Sequence, residues 1–412
     1  MSGSGHFKAF SGFGIELEYM IVDKATLAVR PISDIVLRDA RGAIQNELDF
    51  EKTCWSNELV KHVIEIKTNG PAVLSRDLVE SIHGDLGKIN AILLQENCCI
   101  MPTGMHPFFD PKQGVKLWEH DDSSIYDAYN RIFDCRGHGW SNLQSMHINL
   151  PFYDDIEFES LHAAVRLVLP ILPALAASSP IYESKISGYA DSRLEFYRHN
   201  QKKIPAIAGN VVPEQVWTKS EYAEVIYKKI LEQMKPFDSE GILEVEWLNS
   251  RGAIARFDRN AIEIRVLDVQ EAPRMDIAIA VIVTTLVKSL VDETWISLKE
   301  QKLFHEESLQ DIFVSTLHAG SQTILEEQPF LDVFAVPRGI TAIDLWRHIC
   351  SHLEKHYPSI LAPFAEEIEV LITQGNLTDR ILRSINGKYS HDIVTSVYHK
   401  LCDCVQNNKI FL

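Results

Sequence analysis

The sequence predicts an α+β fold: an antiparallel β-sheet with helices packed on it, followed by a helical C-terminal part. Three observations predict it. Several segments alternate apolar and polar residues with the period of a strand. Between them lie stretches with apolar residues at helical spacing. From about residue 296 onward the chain reads as helix after helix. Residues 1–295 are therefore expected to form an α+β region, and residues 296–412 a helical region packed on the same domain.

In chain order, Phe13 to Val22 comes first. Phe13, Ile15, Leu17, Tyr19 and Ile21 share one face, and Gly14, Glu16, Glu18 and Met20 share the other. Two carboxylates about 7 Å apart on one strand face repel unless a cation lies between them, which makes a metal site a live expectation. Gly12-Phe13-Gly14 is not a dinucleotide loop, because a third glycine is missing and a strand follows. Residues 27–57 read as a hairpin with loops, Asp39 to Gly42 being a turn signal. Leu59 to Thr68 is the next strand. Glu58 and Glu65 are oddly spaced, so they can line one site only if Glu58 sits in the preceding loop or a bulge intervenes.

Ser75 caps a helix carrying Leu78, Ile82, Leu86, Ile89 and Leu93. Cys99 to Met105 is a buried strand. Leu143 to Leu150 alternates again, so His147 and Asn149 project together, suitable partners for a divalent ion or a phosphate. Residues 157–177 form an apolar helix kinked by Pro170 and Pro173. Tyr182 to Lys203 is loop-like and carries Lys185, Arg193, Arg198 and Lys202, an anion-binding or simply solvated segment. Lys219 to Met234 is an amphipathic helix, and Leu243 to Leu248 a strand. Ala261 to Asp268 alternates with Glu263 and Arg265 on one face, amid Arg251, Arg256, Arg259 and Arg274. Pro273 opens a buried helix, since its missing N–H costs nothing at that position.

The totals bound the function. A formal net charge of −17 over 412 residues argues against nucleic acid or an anionic membrane as partner. It leaves room for a phosphorylated ligand held through a metal ion. Met1 to Gly5 shows no signal-peptide pattern, and the apolar run Ile277 to Leu290 is too short to span a bilayer. Seven cysteines, an odd number without a CxxC pair, read as reduced thiols in a cytoplasmic protein.

Four strand-like segments thus each present polar residues on one face: Glu16 and Glu18; Glu65, with Glu58; His147 and Asn149; Glu263 and Arg265. On the open face of one antiparallel sheet they would offer hard oxygen ligands plus one imidazole, a set suited to Mg²⁺ or Mn²⁺. Carboxylates with arginines nearby are what ATP-dependent phosphoryl transfer needs.

At this point the residues match a family. The chain resembles the glutamate–cysteine ligase type 2 (carboxylate–amine ligase) family, related in fold to glutamine synthetase. The matching motifs run in order from about residue 12 to about residue 290. They are Gly14 to Glu18; Glu58 with Val63 to Thr68; Thr103 to Pro107; Met146 to Asn149; Ser178 to Pro180; Ser187 to Arg193; and Glu263 to Arg265.

The resemblance implies a curved antiparallel sheet forming a funnel, of about six strands, a usual sheet size, with helices on its outer face. It implies ATP and Mg²⁺ (or Mn²⁺) in the funnel, with Glu16, Glu18, Glu58, Glu65, His147 and Glu263 as the metal-facing set. Asn149 and Arg265 would contact nucleotide or phosphate. Arg193 and Arg198, with Arg265, would act on the anionic substrate or the transferred phosphoryl group. The usual pattern before Glu263 is shifted, so Arg256 and Arg259 both remain candidates for the nucleotide site. The implied reaction joins an amino-acid carboxylate, the γ-carboxylate of glutamate first, to an amine, as in glutathione biosynthesis. The substrates would be small molecules, and a homodimer is entertained. A different carboxylate–amine pair, a non-catalytic nucleotide-binding regulator and a metal-dependent hydrolase are the alternatives.

Overall fold

A computed structural model describes residues 7–121, 123–238 and 240–412. The stretch Met1 to Gly5 lies outside the described residues, apart from which the expectations above can be followed element by element. Eight strands form one sheet: β1 (Gly14–Asp23), β2 (Glu47–Asp49), β3 (Thr53–Asn57), β4 (Val63–Thr68), β5 (Cys98–Met101), β6 (Ser145–Pro151), β7 (Ala253–Arg256) and β8 (Ala261–Asp268). Their order is β2-β3-β4-β1-β6-β8-β7, with β5 pairing the far half of β1, and every pairing is antiparallel. The helices used below are α1 (Arg76–Leu94), α2 (Ser123–Phe133), α3 (Asp155–Val168), α4 (Ser192–Tyr197), α5 (Val245–Leu248), α6 (Pro273–Val291) and α7 (His391–Asn407).

The alternation in the sequence becomes the two faces of this sheet. Ile15, Leu17, Tyr19, Ile64, Ile66, Met146, Ile148, Leu150, Ile262 and Ile264 are all buried on the outer face, in one core with residues of α1, α3 and α6. The Ser75 hydroxyl accepts the Leu78 N–H and starts α1, and Pro273 is the first residue of α6. The apolar stretch 155–176 is long enough to cross a membrane, yet 89% of its 18-residue apolar window is buried inside the protein, as in a core helix. All seven cysteines are free thiols.

The helices after residue 296 pack against the same body. α7 lies on β5, and its Val394, Val397, Leu401 and Cys402 share a second core with Met20, Val22, Cys99 and Met101. Arg380 forms a buried ion pair with Glu271, in the turn between β8 and α6, and also donates to the Phe411 carbonyl (2.6 Å).

Some expectations differ from what is found. The sheet has eight strands where about six were expected. Leu243 to Leu248 is not a strand: its last four residues are the one-turn helix α5, and the edge strand beside β8 is Ala253–Arg256. A short apolar run does not by itself distinguish a strand from a helical turn. Within the loop-like stretch 182–203, Asp191 accepts the Leu194 N–H and nucleates α4.

Candidate functional site

Register brings the polar residues together. Glu16 lies opposite Lys67 on β4 and His147 on β6, while Glu18 lies opposite Glu65. Ser56 on β3 lies opposite Glu65, and Glu263 on β8 lies opposite Asn149. Directly paired residues project to the same face about 5 Å apart, so this lattice concentrates the carboxylates. Glu58 sits in the loop between β3 and β4, outside the strand alternation, and its carboxylate joins Glu18 and Glu65. Gly14 allows the closest approach: a Cβ there would lie 2.9 Å from the Cβ of Asn149, whose amide donates to Glu16 (3.0 Å).

The strand β8 carries a bulge. Ile264 pairs Ile148 and Leu267 pairs Met146, so Arg265 and Val266 together oppose His147. A bulge re-aims side chains beside a site. Here the Arg265 guanidinium reaches Glu263 (2.5 Å) while its Nε is buried without a hydrogen-bond partner among the described residues. Arg256 reaches the other oxygen of Glu263 (3.4 Å) and also Asp258. At the sides of the face, the Asn57 amide donates to Tyr126 Oη on α2 (2.9 Å), and Tyr129 Oη donates to the Trp247 carbonyl on α5 (2.9 Å).

The carboxylates form two groups. Glu16, His147 and Glu263 offer ligand atoms within 4.8 Å of one another, and so do Glu18, Glu58 and Glu65. His147 links them: its Nδ1 bonds Glu16 (2.8 Å), and its Nε2 meets Ser145 Oγ (2.9 Å), which donates to Glu18. Burial would push the Glu16 carboxyl up, but the hydrogen bond and charge of His147, with Arg265, bring it down to about 2. Burial and Arg265 push His147 down, yet Glu16 and Glu18 outweigh them and raise it. In the second group the nearby cations are Lys67, 3.5 Å from Glu65, and His147, 3.8 Å from Glu18. Burial and the charges of Glu18 and Glu65 hold Glu58 well above the ordinary carboxylate range. Burial and Glu16 raise Glu65 to about 7, against the opposing effects of Lys67 and the Ser56 hydroxyl.

These residues fit a divalent metal ion. Two carboxylate charges at such separations repel by about 3–4 kcal/mol at an effective dielectric of 20, and a hard cation converts that repulsion into coordination. Two pieces of the donor set, five carboxylates and one imidazole, suit Mg²⁺ or Mn²⁺. A measurable consequence follows from Glu65. Its raised pKa means that the metal-free protein loses stability as pH rises from the ordinary carboxylate value through about 7, the folded state binding the extra proton there. A bound cation favours the ionised form, so the rise in Tm on adding Mg²⁺ is expected to be larger at about pH 8 than at about pH 6. An equal rise at both pH values would contradict a cation at Glu65.

Other expected residues lie elsewhere. Arg193, expected to hold an anionic substrate, is fully buried against Asp268, which pairs Ser145 at the end of β8 on the face that carries Glu18. Its Nε donates to Asp268 (2.5 Å) and its Nη2 to the Arg265 carbonyl (3.3 Å). Asp268 also accepts the Ser178 N–H and the Ser179 hydroxyl, both at 2.8 Å. Gly104 leaves room for that carboxylate, with which a Cβ would collide. The motifs at Thr103 to Pro107, Ser178 to Pro180 and Arg193 therefore build a buried support around Asp268, at the end of β8. His106 belongs to it: Nδ1 accepts the N–H groups of Phe108 and Phe109, and Nε2 donates to the Leu27 carbonyl. Arg198 pairs with Glu195 (3.4 Å) and lines a separate hollow with His318 and Val314. Arg259 pairs only weakly with Asp258, is largely exposed, and lines a cavity that reaches Glu16 and Asn149. Lys67, Ser56, Ser145 and Asp268 were given no role by sequence. Spacing of two from Glu65 and from His147 places Lys67 and Ser145 on the site face.

The profile of glutamate–cysteine ligase family 2 matches residues 12–325. The chain belongs to this family. An uncharacterised protein of Archaeoglobus fulgidus is 30% identical over 399 residues, spanning 97% of this chain and 100% of the relative. A Bradyrhizobium diazoefficiens protein provisionally named glutamate–cysteine ligase 2 is 28% identical over 239 residues; the match spans 55% of this chain and about half (49%) of that relative's length. Among solved structures, the glutamate–cysteine ligase of Francisella tularensis in complex with AMP superposes with a TM-score of 0.60 at 13% identity, covering 98% of this chain and 90% of that one. A bifunctional glutathione synthetase from Pasteurella multocida gives 0.57 at 14% identity, covering 96% and 51%. At these identities the likeness is one of fold.

Proposed function

We propose that this family member is an ATP-dependent carboxylate–amine ligase that forms a γ-glutamyl amide, with L-cysteine as the first amine to test. The observation that carries the reading is the convergence of Glu16, Glu18, Glu58, Glu65, His147 and Glu263 on one sheet face, beside Arg256 and Arg265. Held by these six side chains, Mg²⁺ or Mn²⁺ would supply positive charge to offset that of the phosphates.

In the proposed reaction a carboxylate oxygen of the substrate attacks the γ-phosphorus of ATP, and the bond from that phosphorus to ADP breaks. The amine then attacks the acyl carbon, the bond to phosphate breaks, and the amine loses a proton. Arg265, poised by the bulge with an unpartnered Nε, neutralises charge on the transferring group. Asn149, held by Glu16, orients an oxygen of the phosphate chain. His147 fixes the orientation of Glu16 while Ser145 fixes Glu18. The protein supplies no covalent nucleophile; it positions reactants and stabilises charge.

ADP release measured with MgATP, with and without L-glutamate, across a panel of amines tests this reading. Release that needs glutamate and one amine together is the expected result. Release with neither, or none with any pair, would contradict the γ-glutamyl assignment.

A further inference from the structure

The carboxylate clusters are nearly closed off from solvent: side-chain exposure is 15% at Glu16, 8% at Glu65 and 3% at Glu263. A cavity of about 370 Å³ nevertheless opens beside Glu16. Its wall includes Asn149, Lys67, Arg259 and the Thr68 to Pro71 turn. Two cations, an amide and the carboxylates Glu47 and Asp49 thus face a ligand that would enter with one end on Glu16. The cavity therefore combines the carboxylates Glu16, Glu47 and Asp49 with the cations Lys67 and Arg259. Such a mixed lining suits an anion carried with a metal ion.

Lys67 is the better placed of the two cations. Its backbone pairs with Glu16 on one side and Cys54 on the other, which fixes its position in the sheet. Its ammonium lies 3.5 Å from Glu65 and 2.5 Å from Glu47. Glu47 is half exposed, so that pair is weakly held, and the ammonium can exchange it for a phosphate oxygen without leaving Glu65. Resting on the ligase reading above, we infer that this cavity takes the phosphate chain of the nucleotide, and that Lys67, assisted by Arg259, binds it directly.

Titration calorimetry on the full chain separates this from a merely structural lysine. Lys67→Gln is expected to weaken MgATP and MgADP binding by about 10–100-fold, the loss typical of a charge-assisted hydrogen bond. The same substitution removes a positive charge beside Glu65, so the affinity for Mn²⁺ alone should hold or rise. Lys67→Arg should recover most of the nucleotide affinity, and the exposed Arg259→Gln should show a smaller loss in the same direction. Nucleotide binding unchanged in Lys67→Gln, or nucleotide and Mn²⁺ binding lost together with no recovery in Lys67→Arg, would overturn the inference while leaving the ligase reading in place. Absence of MgATP binding by the unaltered protein would overturn both.

Discussion

Glu263→Gln, which keeps the shape of the side chain and removes its charge, is expected to lower turnover by about 10²–10³-fold, the usual cost of deleting one preorganised electrostatic contact. Glu263→Ala should do at least as much. The reason is position. Glu263 is almost wholly buried on the open face, and its two oxygens meet Arg265 and Arg256 while His147 lies 3.6 Å away. Without the carboxylate, one ligand of the first acidic group is lost, and two guanidinium groups face each other with less compensation. The outer face of β8, where Ile262 and Ile264 enter the core, is untouched, so the fold should survive. Steady-state ADP release alongside circular dichroism checks both halves. A folded variant with full activity would contradict the placement of the reaction on this face.

Arg193→Ala is expected to destabilise the protein by about 3–5 kcal/mol, because it strands a buried carboxylate. Asp268 is fully buried, and Arg193 is its one cationic partner among the described residues. The two serine groups that remain can satisfy hydrogen bonds but cannot neutralise the charge. The Arg193 Nη2 bond to the Arg265 carbonyl ties this support to the bulge, so misplacement of Arg265 should follow. Urea unfolding measures the loss. If Arg193 instead held an anionic substrate, Arg193→Ala would raise KM and leave stability unchanged.

Much of this was legible in the sequence because strand alternation is a local property. Glu16 with Glu18, His147 with Asn149 and Glu263 with Arg265 share faces wherever their strands are placed. The odd spacing of Glu58 and Glu65 required either a loop position for Glu58 or a bulge, and Glu58 lies in the loop between β3 and β4. What the sequence left unread depends on partners far along the chain. Lys67 lies two residues from Glu65, yet only the register of β1 against β4 puts it beside Glu16. The bulge at Arg265 is a mismatch between β8 and β6 and has no signature within β8. Arg193 looked like an anion-binding residue in a polar segment, and only the fold brings it to Asp268, 75 residues away. Leu243 to Leu248 failed for a different reason: six residues with mixed apolar content suit a strand or a helical turn equally.

The most direct test of the central claim follows the oxygen atoms. L-Glutamate labelled with ¹⁸O in its γ-carboxylate is supplied with MgATP and the accepting amine, and the released phosphate is analysed by mass spectrometry. Activation of the carboxylate by ATP predicts that each phosphate carries one labelled oxygen from the substrate, because the carbon–oxygen bond breaks when the amine attacks. Amide product formed with unlabelled phosphate would contradict the account.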